Sequence, residues 1–396
     1  MRQKNILLFI INPFIATINS IIHIREKGAL TLLYCWFLLF GIAFCADNPL
    51  ADSFRYVEDF KEQANPSWSD YLGSLQSFFT FDSQIRDIYT ITAGFIVHNI
   101  SDNYHWLFLF FAAVFGFFYI KSLEYLVKKN SCSPFVFYAL FFLFCISNPI
   151  FNINGVRFWT AAWITVYSLL KINIDKKYVY TLLLCTTPLF HAAYIVVIPL
   201  VVLILFTSRF SQFWFIIYLG SSFFSVLSVI GDLTGQLDFL PTITLSMIAS
   251  NTEEAKQTLL NGGEQLPLYA RVLESLPTYL CIILTVFIFV KRKCCNNTNY
   301  TMLLGAYLIV SVFANFTMNI PSTGVRFIKL TYPFLTILWA MNSNALKKYN
   351  AFVCYGIPIS FAYSLVPLFR NISSVTEIDL YIFPLPVTVF KYLFFA

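Results

Sequence analysis

The chain of 396 residues is 58% hydrophobic and only 12% charged, with a mean hydropathy of +0.70, whereas soluble domains devote roughly a quarter of their residues to charge. A soluble globular chain is excluded, and apolar runs that are long and continuous instead of alternating exclude an outer-membrane barrel. The net charge of +6 sits mainly in short loops, where it reports membrane topology and gives no reason to expect a nucleic acid partner.

These features predict an all-α polytopic membrane bundle of about 11–13 transmembrane helices, forming one integral membrane domain over residues 1–396. The first apolar run, 6–22, follows Arg2 and Lys4 as in a signal peptide, but a second run at 29–46 follows at once, so a retained anchor is expected. Residues 47–87 then carry eight acids against Arg55, Lys61 and Arg86, which places this segment outside. It holds a helix candidate at 52–63, and 88–100 reads as a run that lies in the interface or dips into it. Further apolar runs lie at 104–126, 134–150, 157–172, 178–206, 212–231, 272–290, 300–320, 326–342 and 350–369. A weaker one, 381–395, contains Pro384 and Pro386, and its sequence leaves open whether it spans.

The basic loops at 23–28, 128–131, 171–177, 291–293 and 347–348 belong in the cytoplasm by the positive-inside rule. If 178–206 were one helix, the cluster Lys291, Arg292, Lys293 would emerge outside. The charge rule is restored if this stretch breaks near Pro188 and His191 into two short helices, with His191 toward the outer side. Two larger outer loops result, at approximately 47–103 and 232–271. Nine cysteines without Cys-x-x-Cys spacing indicate neither a disulfide framework nor a zinc site, and no metal or cofactor is expected.

Two arginines stand out because a guanidinium costs roughly 2.5–3.5 kcal/mol at the centre of an inserted helix. Arg157, in Asn154-Gly155-Val156-Arg157-Phe158, and Arg326, in Thr323-Gly324-Val325-Arg326-Phe327, each open an apolar stretch with no acidic neighbour in sequence. They are expected on the same outer side as His191, to receive an anionic partner supplied from outside. Lys329 lies one turn beyond Arg326 on the same helical face. Two arginines and a lysine suit a pyrophosphate, since guanidinium groups bind phosphate oxygens bidentately and stabilise a departing anion. The plainer alternative is that they only mark helix ends by reaching to the headgroups. Thr160, Ala161 and Ile164 share the Arg157 face and would admit a neighbouring helix.

His191 is a candidate general base toward a sugar hydroxyl, or else a packing residue. In the first outer loop, helical spacing puts Asp52, Tyr56 and Asp59 on one face, where carboxylates and a phenol could hold and stack a sugar; the alternative is a solvated amphipathic helix with an Arg55 to Asp59 pair. Arg271, near Glu274, is a further outer-side binding candidate. No Walker loop, dinucleotide fingerprint, nucleophile elbow or His-Glu-x-x-His motif is present.

In these motifs the chain resembles the EpsG and Wzy-like (O-antigen) polysaccharide polymerases of bacterial inner membranes. The resemblance is carried by Asp52 to Tyr56 after the second run, Asn154-x-x-Arg157 with Ala161, Leu189-Phe190-His191-Ala192-Ala193, and Arg326 ahead of Tyr332-Pro333. It departs at Pro49-Leu50-Ala51, where glycine often precedes the aspartate, and at Phe158, where glutamine often follows the arginine. The resemblance implies a metal-independent glycosyltransferase that joins undecaprenyl-pyrophosphate-linked repeat units into O-antigen or capsular polysaccharide, as in lipopolysaccharide biosynthesis, at the periplasmic face of a multi-pass inner-membrane protein. Arg157 and Arg326 would then hold pyrophosphate, with His191 near the acceptor and Asp52 and Tyr56 in the loop signature. Its partners would be lipid-linked glycans and membrane lipid, with a chain-length regulator and a flippase nearby. A lipid-linked oligosaccharide flippase and an O-antigen ligase are the competing readings; two long outer loops disfavour the flippase.

Overall fold

The computed structural model describes residues 2–63, 67–80, 87–129, 131–234, 268–294, 297–318 and 323–394. In chain order the helices are α1 (Arg2–Ile11), α2 (Pro13–Ile22), α3 (Ala29–Ile42), α4 (Asp52–Glu62), α5 (Trp68–Phe79), α6 (Tyr89–His98), α7 (Tyr104–Lys128), α8 (Pro134–Ser147) and α9 (Val156–Asn173). There follow α10 (Tyr180–Cys185), α11 (Thr187–Phe190), α12 (Val197–Thr207), α13 (Ser211–Thr234), α14 (Leu268–Val290), α15 (Thr298–Phe316), α16 (Thr323–Met341), α17 (Ser343–Leu346), α18 (Ile357–Ser373), α19 (Asp379–Ile382) and α20 (Leu385–Phe394). Among the described residues there is no strand. Five stretches are long and apolar enough to cross a membrane: Tyr104–Lys128, Pro134–Asn173, Val272–Val290, Thr298–Phe316 and Phe352–Ser373. The protein is an all-α polytopic membrane bundle, as its composition predicts. Its helices form two compact units, Met1–Lys129 with Asn148–Val201 and Val366–Ala396, and Asn130–Ser147 with Val202–Leu365.

In the first unit α3 packs along α7, and α7 along α9. Lipid tails are as apolar as leucine, so close packing must hold these helices together. Aromatic contacts supply much of it: Phe44 stacks on Phe108 at 4.5 Å and Phe37 lies 4.7 Å from Tyr119. The first apolar run is two helices. The Asn12 side chain accepts from the Ile15 amide at 2.9 Å and Pro13 opens α2, a helix start inside the run.

The first outer segment folds onto the same unit through α4, whose buried face is Ser53, Tyr56, Val57 and Phe60. His98, at the end of α6, locks this face: its ring stacks on Phe60 at 3.8 Å and its Nε2 donates to the Phe60 carbonyl at 2.7 Å.

The stretch 178–206 is broken, as the charge rule requires. Tyr180 lies 5.6 Å from Tyr167, toward the end of α9, while His191 lies 5.3 Å from Phe158 near its start. Between them α10 and α11 run beside α9. Proline at 188 removes a backbone donor, His191 is extended at φ −158° and ψ 125°, and a 3-10 turn at Ala192–Val196 precedes α12.

The C-terminal segment does not span. The Cys45 amide donates to the Val375 carbonyl at 2.8 Å, so the chain leaves α18 at the end of the unit where the first outer segment emerges. It then dips inward. Tyr381 packs on Phe14 at 5.2 Å, the Asn12 amide donates to the Tyr381 carbonyl at 3.3 Å, and Leu385 joins Phe9, Ala16 and Leu32. The ten residues of α20 rise about 15 Å, half a bilayer core of about 30 Å. They return to the starting end, where Asn103 donates to the Tyr392 carbonyl at 2.9 Å and Lys391 pairs with Glu377 and, at 2.5 Å, with Asp379. Cysteines introduced as Leu50→Cys and Phe394→Cys, both exposed positions, should therefore react with a membrane-impermeant maleimide from the same side in a variant lacking native cysteines; labelling from opposite sides contradicts the re-entrant hairpin.

In the second unit α13 packs on α15, α15 on α16, and α16 on α8. Polar groups at its centre satisfy each other: Thr285 Oγ1 and the Tyr307 hydroxyl are 2.5 Å apart, and Asn315 donates to Ser221 and Ser222 at 3.0 Å. Ser131 Oγ lies 2.6 Å from Ser343 Oγ, and Asn342 donates to the Lys291 carbonyl at 3.2 Å. Ser131 and Lys291, from two of the loops read as cytoplasmic, thus both meet the Asn342–Ser343 segment just before the third at one end of this unit. Most of the second outer loop, 235–267, lies outside the described residues.

Candidate functional site

Asn148 and Pro149 close α8, and a 3-10 turn at Ile150–Gly155 leads into α9. The start of α4 sits on this turn, where the Ser53 amide donates to Asn154 Oδ1 at 3.3 Å. Arg157 occupies the first turn of α9 and is thereby brought under Tyr56, 101 residues away.

Its guanidinium is held on two sides. Nη1 donates to Asp87 Oδ2 at 2.8 Å, and Nε donates to the Tyr56 hydroxyl at 3.1 Å, with the guanidinium carbon 5.3 Å from the Tyr56 ring centroid. The Arg157 side chain is 21% exposed and that of Asp87 3%. The absence of an acidic neighbour in sequence does not hold in space, because Asp87 comes from the far end of the first outer segment. The other Asp87 oxygen is also used, accepting from the Thr90 amide at 3.0 Å and the Thr90 hydroxyl at 2.8 Å. Complete hydrogen bonding of this kind is what a desolvated ion pair requires to offset its hydration loss. Two of the five guanidinium N–H groups are engaged by these partners, which leaves three for another acceptor.

Around this pair the sequence candidates fall into different roles. Tyr56 is 5% exposed, its ring lies edge-on to Phe111 at 5.9 Å, and burial pushes its phenol above the ordinary range. It is a neutral partner of the guanidinium and does not present its face for stacking a sugar. Asp52 pairs with Arg55, in place of the Arg55 to Asp59 pair that spacing suggests. Partial desolvation, then the neighbouring Glu62, lift the Asp59 carboxyl above its ordinary value, while Arg157 pulls it down. Asp52 and Asp59 thus form an acidic rim beside the cation. Thr160, Ala161 and Ile164 are fully buried.

His191 belongs to the same neighbourhood. The Ile88 amide donates to the Leu189 carbonyl at 3.0 Å and Tyr89 packs on Phe190 at 4.6 Å, so the residues next to Asp87 hold the loop that carries the histidine. Nδ1 of His191 accepts from the Ala193 amide at 3.2 Å. In the neutral ring that bond assigns the proton to Nε2, making the imidazole a donor on that side. Service as a base through Nδ1 requires giving up the Ala193 amide.

The remaining candidates lie in the second unit. Arg326 and Lys329 are partly buried on α16, and Glu274 of α14 is close enough to Lys329 to act on it electrostatically. Arg271 is on α14, and its side chain lies outside the described residues. The two Gly-Val-Arg-Phe segments are not equivalent. A Cβ on Gly324 would meet the Thr317 carbonyl carbon at 2.6 Å, whereas one on Gly155 would make ordinary contact with Trp159 at 3.4 Å. Among the described residues no three His, Cys, Asp or Glu side chains converge as a metal-binding group.

Asp87 is the site residue that sequence reasoning missed. Its one signal in the sequence is an aspartate three residues ahead of Thr90, whose amide and hydroxyl it accepts from at the start of α6.

No curated protein and no solved structure matches the chain. The EpsG family profile matches residues 28–384, which include α3 through α19 and every site residue named above. The chain therefore belongs to the EpsG family, and it is a multi-pass membrane protein of the polysaccharide-polymerase type.

Proposed function

We propose that the protein polymerises undecaprenyl-pyrophosphate-linked oligosaccharide repeat units into O-antigen or capsular polysaccharide, at the outer face of the bacterial cytoplasmic membrane and without a metal ion. Family membership supports the class of reaction. The observation that carries the site is the Arg157 guanidinium, fixed by Asp87 and Tyr56 with donors to spare. A hydroxyl of the incoming lipid-linked unit attacks the anomeric carbon of the growing glycan. A new glycosidic bond forms, the bond from that carbon to the pyrophosphate oxygen breaks, and lipid pyrophosphate leaves with the electron pair. The hydroxyl proton passes to solvent or to a nearby base.

Negative charge grows on the leaving pyrophosphate, so fixed donors aimed at it lower the barrier. Arg157 fills that role, Asp52 and Asp59 accept from sugar hydroxyls, and His191 orients the acceptor through Nε2. Arg326 and Lys329 are assigned to phosphate binding on their charge alone and are tested by their own substitutions. The purified protein in vesicles with lipid-linked repeat units decides the matter. Longer glycan on lipid in the presence of a chelator supports the proposal; transport without bond formation identifies a flippase, and transfer to a different acceptor lipid identifies a ligase.

A further inference from the structure

The Asp87 carboxylate touches no element by accident. One oxygen takes the Arg157 Nη1 proton, the other takes both Thr90 donors, and the next residue's amide bonds to the Leu189 carbonyl two residues before His191. Three separately folded pieces, α9, α6 and the broken α11, are registered to one another at this point. The carboxylate also halves the problem of keeping a cation at the end of a membrane helix, because the pair is neutral.

We propose that Asp87 is the positioning residue of the phosphate-binding arginine and sets how tightly that arginine holds its anion. The inference rests on the polymerase reading. Arg157 alone would be a mobile cation that binds any phosphate strongly and releases it slowly. Clamped through Nη1 and Nε, it keeps one orientation, with both protons of Nη2 and one of Nη1 left for the pyrophosphate. The adjacent negative charge weakens binding of substrate and product alike. It therefore favours release of the lipid pyrophosphate after each bond, so turnover gains where ground-state affinity is lost.

A merely structural aspartate makes no such trade, and this separates the two roles. In the reconstituted full-length protein, Asp87→Asn keeps the size of the side chain and removes its charge. Turnover is expected to fall about 30-fold while added undecaprenyl pyrophosphate inhibits about 5-fold more tightly. Unchanged turnover overturns the proposal, as does lower turnover with unchanged or weaker inhibition. Should Asp87→Asn fail to fold, Thr90→Val loosens the carboxylate without removing it. Turnover about 3-fold lower, with inhibition shifted the same way, is expected; wild-type values for both overturn the proposal. No elongation by the wild-type protein would instead defeat the polymerase reading itself, whereas an inactive Arg157→Ala beside a normal Asp87→Asn defeats only the present inference.

Discussion

Arg157→Ala is expected to abolish polymer and leave single-repeat glycolipid to accumulate, with turnover in vesicles down at least about 100-fold, the scale seen when one preorganised donor to a developing oxyanion is lost. Arg157→Lys tests geometry separately from charge. Lysine keeps the cation but cannot reach Asp87 and Tyr56 from two edges of one plane, so a loss of about 10-fold or more is expected. Stability complicates the alanine variant, since it strands the buried Asp87 carboxylate at a cost of about 3–5 kcal/mol. The double variant Arg157→Met with Asp87→Leu removes both charges and restores an apolar contact. It should fold close to normally, by thermal unfolding in detergent, and remain inactive. Polymer of wild-type length from that well-folded double variant would sink the assignment.

The second large effect concerns folding of the second unit. Gly305 lies on α15 where the chain leaving α12 crosses it, and a Cβ there would lie 2.6 Å from the Ser208 carbonyl carbon and 2.7 Å from its Cα. These are backbone atoms and cannot swing aside. Ser208 is fully buried and donates to the Met302 sulfur at 3.4 Å, so the crossing is fixed from both sides. Alanine in mid-helix is worth about 1 kcal/mol over glycine by propensity. Overpacking against backbone costs about 3 kcal/mol. The clash wins, and Gly305→Ala is expected to lose about 2 kcal/mol net, read as a lower thermal midpoint, with Gly305→Leu failing to accumulate as monodisperse protein. A Gly305→Ala protein as stable as the wild type would show that the crossing relaxes.

What was legible in the sequence follows from what each signal measures. Apolar run length reports burial in lipid, and the long helices α7, α14 and α15 lie where the runs at 104–126, 272–290 and 300–320 put them. Charge asymmetry reports sidedness, which is why the break at His191 could be inferred from a parity conflict. The two signals fail where a residue's meaning depends on a distant partner. Asp87 was one acid among eight until Arg157, 70 residues on, was placed against it. Tyr56 carried the right chemistry but the wrong exposure. Run length also hid the start of α2, although Asn12 and Pro13 announce a helix beginning. The re-entrant C-terminal hairpin depends on pairs that no local window contains, Asn12 with Tyr381 and Asn103 with Tyr392.

The Asn12 amide reaches across 369 positions to the tip of that hairpin. During synthesis the amino-terminal helices enter the bilayer long before residues 377–394 exist, so until then this amide has no such mate and must rely on water, lipid headgroups or an insertion factor. Completion of the first unit is thus deferred until residues 366–396, which belong to it, have been made. Chains cut short before residue 377 should be recognised by quality-control proteases through their unsealed amino-terminal pair.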